Sequence, residues 1–212
     1  MIPGSRIVAG ADFAFVRDSA ALVFVSDTEG VYKVESERVW KPGLKPLRPS
    51  VVFAEAMADV QLFDAEAFCC DDHYLATVIE VTEECAVEHI RFPSSSDGIA
   101  EAFVRVRVLF GARRIDLSRA SDQLVDELKE TMGRPTPGGG YTISHKRKAG
   151  SHGDLARAFV SGIYALELGG LEALRQDAPL TGGARRMTRA TRYPLPSDTP
   201  GYMHDLPPRR DS

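Results

Sequence analysis

Ser151-His152-Gly153-Asp154-Leu155-Ala156-Arg157-Ala158-Phe159, continuing to Leu166, is the stretch on which the reading of the fold turns. It opens as a helix: Ser151 is a capping residue, Asp154 follows three positions later, and Leu155, Phe159, Gly162 and Leu166 recur at helical spacing. The acid stands just ahead of an almost wholly apolar helix. Such a carboxylate is either a capping-box acid facing solvent or one member of a buried acidic cluster. The choice depends on whether the rest of the chain supplies the other members.

That chain has 212 residues, 43% hydrophobic and 26% charged, enough for one sizeable core. No apolar run approaches the ~20 residues needed to cross a bilayer, and Met1 to Arg6 lacks the layout of a secretion signal. Cys69 and Cys70 are neighbours and Cys85 stands alone, which argues against a disulfide framework and fits a reducing cytoplasm. No Cys/His spacing matches a zinc site. A net charge of −4 argues weakly against non-specific nucleic-acid binding but conceals a split. Thr131 to Gly150 contains Arg134, Lys146, Arg147 and Lys148 with no acid, and Phe103 to Arg119 holds five arginines against one aspartate. From Thr181 onward six arginines face three aspartates, while acids cluster in Glu55 to Asp72.

Upstream of the opening stretch, Arg6 to Val16 reads as a strand apolar on both faces and interrupted by Asp12. Ala21 to Ser26 and Val31 to Trp40 follow as strands separated by short turns, an antiparallel meander. Ser50 is expected to cap a helix over Val51 to Asp64, with Val52, Phe53, Ala56, Met57, Val60 and Phe63 as its apolar stripe. Glu66 to Asp71 reads as a short buried strand. His73 to Val87 is expected to be helical, although its β-branched residues leave a strand open. His89 to Phe92 is a further strand, and helices are expected from Asp97 to Phe110 and from Ser121 to Met132. Pro135 to Gly140 breaks the chain, and Tyr141 to Ser144 with Lys146 to Lys148 is expected to form a basic hairpin leading into the opening helix. From about Gly169 the periodicity is lost, so residues 1–170 read as one mixed α/β domain and 171–212 as an extended or disordered tail rich in Gly, Pro and Arg.

Three acids sit where a solvated residue would not normally stand. Asp12 lies on the same strand face as Val8 and Val16 by a period of two, Asp71 ends the Phe68-Cys69-Cys70 strand, and Asp154 begins the apolar helix. Asp12 needs a partner, either a nearby cation such as Arg17 or a shared metal. If the three converge, two carboxylates about 4 Å apart repel by about 4 kcal/mol at an effective dielectric near 20. A divalent cation removes that conflict, and hard oxygen donors select magnesium or manganese over zinc. The basic segments would then have a use in holding a nucleic-acid backbone by its phosphates. Gly138-Gly139-Gly140 lacks the following Lys-Ser/Thr of a phosphate-binding loop. Ser94-Ser95-Ser96 reads as loop, and His73, His89, His145 and His204 as surface or packing residues. Trp40 and Tyr141 are candidates for base stacking, though both residue types are more often core or hairpin residues.

The order of these elements, with acids at the first strand, the fourth strand and the last helix, is similar to the RNase H-like nuclease fold. More specifically, Arg6 to Leu168 resembles the C-terminal nuclease domain of tailed-bacteriophage terminase large subunits. Gly10-Ala11-Asp12 with Arg17-Asp18-Ser19-Ala20-Ala21-Leu22 looks like that family's first strand, acid and turn. Cys70-Asp71-Asp72-His73-Tyr74 resembles its fourth-strand segment, and Ser151 to Ala158 its closing His-Gly-Asp helix, preceded by a basic hairpin over Ile143 to Lys148.

The resemblance implies a central mixed sheet of five or more strands flanked by helices, with Asp12, Asp71 and Asp154 as catalytic metal ligands. Asp72 stands as an alternate or accessory ligand. Lys146, Arg147, Lys148 and Arg134 are expected to bind DNA. The implied activity is cleavage of double-stranded DNA during phage genome packaging by two-metal hydrolysis with Mg2+ or Mn2+, in the cytoplasm of an infected bacterium. The implied partners are DNA, the portal protein, the small terminase subunit and an ATPase motor domain. Nothing in this chain resembles the family's ATPase Walker motifs, so the chain is expected to be an isolated nuclease domain or a fragment of a longer protein. A junction resolvase or transposase-type nuclease, and a non-catalytic docking module of the packaging machinery, are the alternatives.

Overall fold

The computed structural model describes residues 5–16, 19–136, 140–145 and 153–176, with side chains to residue 168. Its first three strands, β1 (Arg6–Asp12), β2 (Ala20–Thr28) and β3 (Val31–Trp40), form the expected antiparallel meander. The β2–β3 reversal is made by Glu29 (φ 54°) and Gly30 (φ 80°), with Gly30 N donating to Asp27 Oδ1 at 2.8 Å. Positive φ at both central residues matches the right-handed twist of the strands they join. Helix α1 (Pro49–Leu62) leads to β4 (Ala67–Cys70), α2 (Leu75–Glu84), β5 (Glu88–Arg91) and α3 (Ser96–Gly111). The chain then runs through β6 (Ile115–Asp116), α4 (Asp122–Glu130), β7 (Met132–Pro135), β8 (Tyr141–Ser144) and α5 (Asp154–Gln176).

Six strands make one sheet in the order β5-β4-β1-β2-β3-β6, and β7 and β8 form a separate two-stranded ribbon. The sheet is mixed: β1 is antiparallel to β2 but parallel to β4, and β4 is parallel to β5. Alternation along the strands feeds two cores. Ile7, Ala9, Ala11, Leu22, Phe24 and Phe68 pack with Val52, Phe53, Ala56, Met57 and Val60 of α1 and Val78 of α2. Val8, Val23, Val25 and Cys69 pack on the other face with Phe103 and Val106 of α3, Leu124 of α4 and Phe159 and Ile163 of α5. Each side chain buried as fully as Phe68 or Phe159 contributes about 1.5–3 kcal/mol.

Helix α5 lies directly against β1 because Gly10 has no side chain. A Cβ on Gly10 would stand 2.1 Å from the Ala158 carbonyl oxygen and 2.3 Å from Gly162 N. The apolar helix that decided the sequence reading is therefore the element laid against the centre of the sheet.

Several expectations need correcting. Asp12 is the last residue of β1 rather than mid-strand: after it the chain leaves the sheet, and Phe15 O accepts from Leu47 N instead. Ser50 does not cap α1; the helix starts at Pro49, whose fixed φ suits a first helical turn, and Arg48 takes the cap position without a side-chain bond. Ser95 and Ser121 cap α3 and α4 as side-chain acceptors. Tyr141–Ser144 pairs with Met132–Pro135, and Lys146 to Lys148, the other part of the expected basic hairpin, lie outside the described residues. The reversal between the two strands is closed by Thr136 N donating to the Gly140 carbonyl oxygen at 2.8 Å. β6 was not foreseen, since two residues carry no periodicity. Finally, α5 runs on through Gly169 and Gly170 to Gln176. Two glycines cost only about 1 kcal/mol each in a helix already nucleated. The remainder of the expected tail, 177–212, lies outside the described residues.

Candidate active site

The site is assembled by strand register. β1 and β4 run parallel with Val8 beside Ala67, Ala9 beside Phe68 and Gly10 beside Cys69. Two residues beyond the last of these pairs stand Asp12 and Asp71, at the C-terminal ends of neighbouring parallel strands, where open α/β sheets place their ligand sites. Alternation carries both to the face covered by α5, whose first residue is Asp154. All three carboxylates line one cleft of ≈ 810 Å³, together with Tyr74, Thr142 to His145 of the ribbon, and Arg157.

The start of α5 is held from several sides. Gly153 has φ +86°, and a Cβ there would come within 2.3 Å of the His145 ring, so only glycine fits both the backbone and the neighbour. His145 Nδ1 lies 3.1 Å from Thr131 Oγ1, and the ring meets Phe103 edge-on at 5.8 Å. Burial lowers the His145 pKa. Ala156 N donates to Glu127 Oε2 of α4 at 3.0 Å, and Gln123 Nε2 donates to the other Glu127 oxygen at 2.9 Å. A buried acid from another helix thus serves the first turn of α5. Ser151, the expected cap, lies outside the described residues.

Arg157, one turn beyond Asp154, reaches back to the strand ends. Its NH2 donates to Asp71 Oδ2 at 3.2 Å, and its Nε stands 3.9 Å from Asp12 Oδ1. Asp71 also accepts from the backbone N of His73 at 3.0 Å, in a tight local turn. Burial pushes the Asp12 carboxyl up from its ordinary 3.8 to about 7; Arg157 opposes the rise, while Asp154 and Asp71 add to it. The three acids are therefore electrostatically coupled. By chemistry this donor set of carboxylate oxygens fits a hard divalent cation. Among the described residues, no three such side chains stand close enough as they are to enclose an ion, and Arg157 supplies positive charge between Asp12 and Asp71.

The other expected site residues fall elsewhere. Asp72 does not line the cleft: Arg91 holds it with two bonds of 2.7 Å, from Nε and NH2, and that hydrogen bonding keeps its carboxyl below the usual range. Strand alternation explains the contrast, since neighbouring residues leave a strand end in opposite directions. Arg134 is exposed on β7, the partner of the strand that walls the cleft. Lys146, Arg147 and Lys148 lie outside the described residues. Trp40 donates from Nε1 to Glu55 at 2.8 Å and packs beside Arg38, while Tyr141 is exposed on the ribbon.

Sequence reasoning passed over Arg157, Glu127 and His145 as parts of the site. A signal existed for the first two. Arg157 is a lone cation on an otherwise buried helix start, and Glu127 falls on the face of α4 that carries Leu124.

In fold, the molecule is an α/β protein of the RNase H-like type. It is similar to the solved large terminase nuclease from the thermophilic phage G20c, with a TM-score of 0.60 and 14% identity over 76% of this chain and 83% of that one. A Thermus phage large terminase nuclease domain matches with a TM-score of 0.56 and 16% identity over 76% and 79% of the two chains. The HK97 bacteriophage large terminase matches with a TM-score of 0.63 and 16% identity over 78% of this chain but 40% of that one. The G20c nuclease is also matched in forms with bound magnesium and with bound cobalt. No protein-family model and no curated protein sequence matches the chain.

Proposed function

We propose that the protein is a divalent-metal-dependent endonuclease that cleaves double-stranded DNA during phage genome packaging. The observation that carries the proposal is the meeting of Asp12, Asp71 and Asp154 on one cleft, in a fold similar to that of terminase nuclease domains. The bound magnesium and cobalt of the G20c nuclease support the choice of a divalent cation.

Asp12, Asp71 and Asp154 would hold two ions, Mg2+ or Mn2+, whose chemistry is to supply a nucleophile at neutral pH and to stabilise the leaving oxygen. Asp12, central to the set, is the most sensitive position. Burial holds this carboxyl up to about 7 even with Arg157 beside it, and a bound divalent cation would favour its ionised form. The ribbon walls one side of the cleft, and the chain leaving it carries Lys146, Arg147 and Lys148, which would grip phosphates along with Arg134. Asp72, engaged by Arg91 outside the cleft, is left out of the ligand set. In this reading the working partners are DNA, a portal protein, a small terminase subunit and an ATPase motor, in the cytoplasm of the host. No helix among the described residues is long and apolar enough to cross a membrane.

Supercoiled plasmid incubated with the protein and manganese is expected to be relaxed and then fragmented, with Asp12→Asn inactive yet folded. Plasmid left intact across a broad range of protein and metal concentration would sink the proposal.

A further inference from the structure

Arg157 is out of character with its surroundings. Leu155, Ala156, Ala158, Phe159 and Val160 around it are buried, yet its side chain keeps 31% exposure and bends to the strand ends. It spreads over two carboxylates and grips neither with a two-pronged fork: one contact to Asp71 at 3.2 Å, one to Asp12 at 3.9 Å. The Arg91–Asp72 pair shows what a committed guanidinium looks like, with two bonds of 2.7 Å. A divided contact of this kind relieves the repulsion between Asp12 and Asp71 without the strength of a closed pair.

We propose that Arg157 is the resident counter-ion of the carboxylate cluster, holding Asp12 and Asp71 until divalent cations displace it. The inference rests on the proposed function only in taking these carboxylates as metal ligands. Arg157 raises the divalent-ion concentration at which the site fills. Once displaced, its guanidinium stands in the cleft free to meet an anionic phosphate, so that metal entry and substrate binding are linked through one side chain. A positioning role limited to packing would have the opposite signature: loss of the arginine would loosen the site and weaken metal binding.

Manganese chloride alone, titrated calorimetrically into the wild-type chain and into Arg157→Met, tests this. Methionine keeps the aliphatic stem and removes the charge. The variant is expected to bind manganese about tenfold or more tightly, because a positive charge beside two ligands has gone. It is also expected to melt below wild type in chelator and to gain more than wild type on adding manganese. Should Arg157→Met fail to fold, Arg157→Gln carries the same test. Manganese binding by a folded variant that is equal to or weaker than wild type overturns the proposal. Because no DNA enters the titration, tighter binding alongside an inert wild-type enzyme would refute the nuclease reading and leave the counter-ion role standing. Unchanged binding alongside full cutting would do the reverse.

Discussion

Two concave surfaces of the molecule are lined by carboxylates, and they are built on different terms. In the smaller, of ≈ 490 Å³, Glu35 and Glu37 of β3 face the approach to α4. Glu37 accepts from the backbone N of Ser121 at 2.7 Å and from its hydroxyl at 2.6 Å, while Glu35 accepts from Ser26 Oγ at 2.8 Å and pairs with Arg119. Each acid there has nearby donors of its own and latches the start of α4 to the sheet. In the larger cleft, Asp12 and Asp71 divide one guanidinium, and burial holds the Asp12 carboxyl up to about 7. Acidity alone does not distinguish a site from a latch; the sharing of cations does.

The sharpest way to break this comparison is to neutralise one acid in each surface. Asp71→Asn is expected to lower plasmid cutting by about a hundredfold or more, since even supporting partners of metal ligands are worth 10–100-fold. Glu37→Gln is expected to leave cutting within about twofold. Comparable losses in both variants would remove the distinction.

A smaller effect, in the opposite sense for stability, concerns Asp12. Its folded pKa is raised above the unfolded value, so the folded state holds the proton more tightly. That contribution to stability is fully present below about pH 4 and is lost as pH rises to about 7. In chelator, Asp12→Asn should therefore match wild type near pH 4 and exceed it at pH 8, by about 2 kcal/mol once partial solvent access is allowed for. Thermal melts across pH in chelator read this directly, and a variant less stable than wild type at pH 8 would show that Asp12 is as well matched as Glu37. The smallest effect is expected at Ser121→Ala, which removes the α4 cap and a Glu37 partner. A loss of about 1 kcal/mol in denaturant unfolding, with cutting untouched, would mark the smaller surface as structural.

Much of the fold was legible in the chain. The three meander strands, the short Phe68-Cys69-Cys70 strand and the apolar helix after Asp154 each carry a strong local pattern, and they lie where that pattern puts them. What misled was also local: a run of apolar residues past Asp12 looked like more strand, and two glycines looked like the end of a helix. The pairing of Tyr141–Ser144 with Met132–Pro135 was not foreseen, because pairing is chosen by loop length and contact, which the strand itself does not encode. In the cleft, Asp12, Asp71 and Asp154 were recognisable one at a time as acids out of place, whereas Arg157 stood out only as a lone cation on a buried helix start, which does not tell which acids it reaches.

The sequence by itself determined which residues would be strand, helix and buried, and which acids would be costly to leave there, because alternation, capping and desolvation act over a few residues. Tertiary structure alone decided that Asp12 stands beside Asp71, that Asp72 turns out to Arg91, and that Arg157 bends to the strand ends. Those outcomes depend on the register of two strands 59 residues apart, set by Gly10 against Cys69, and on a glycine contact that lets α5 close over them.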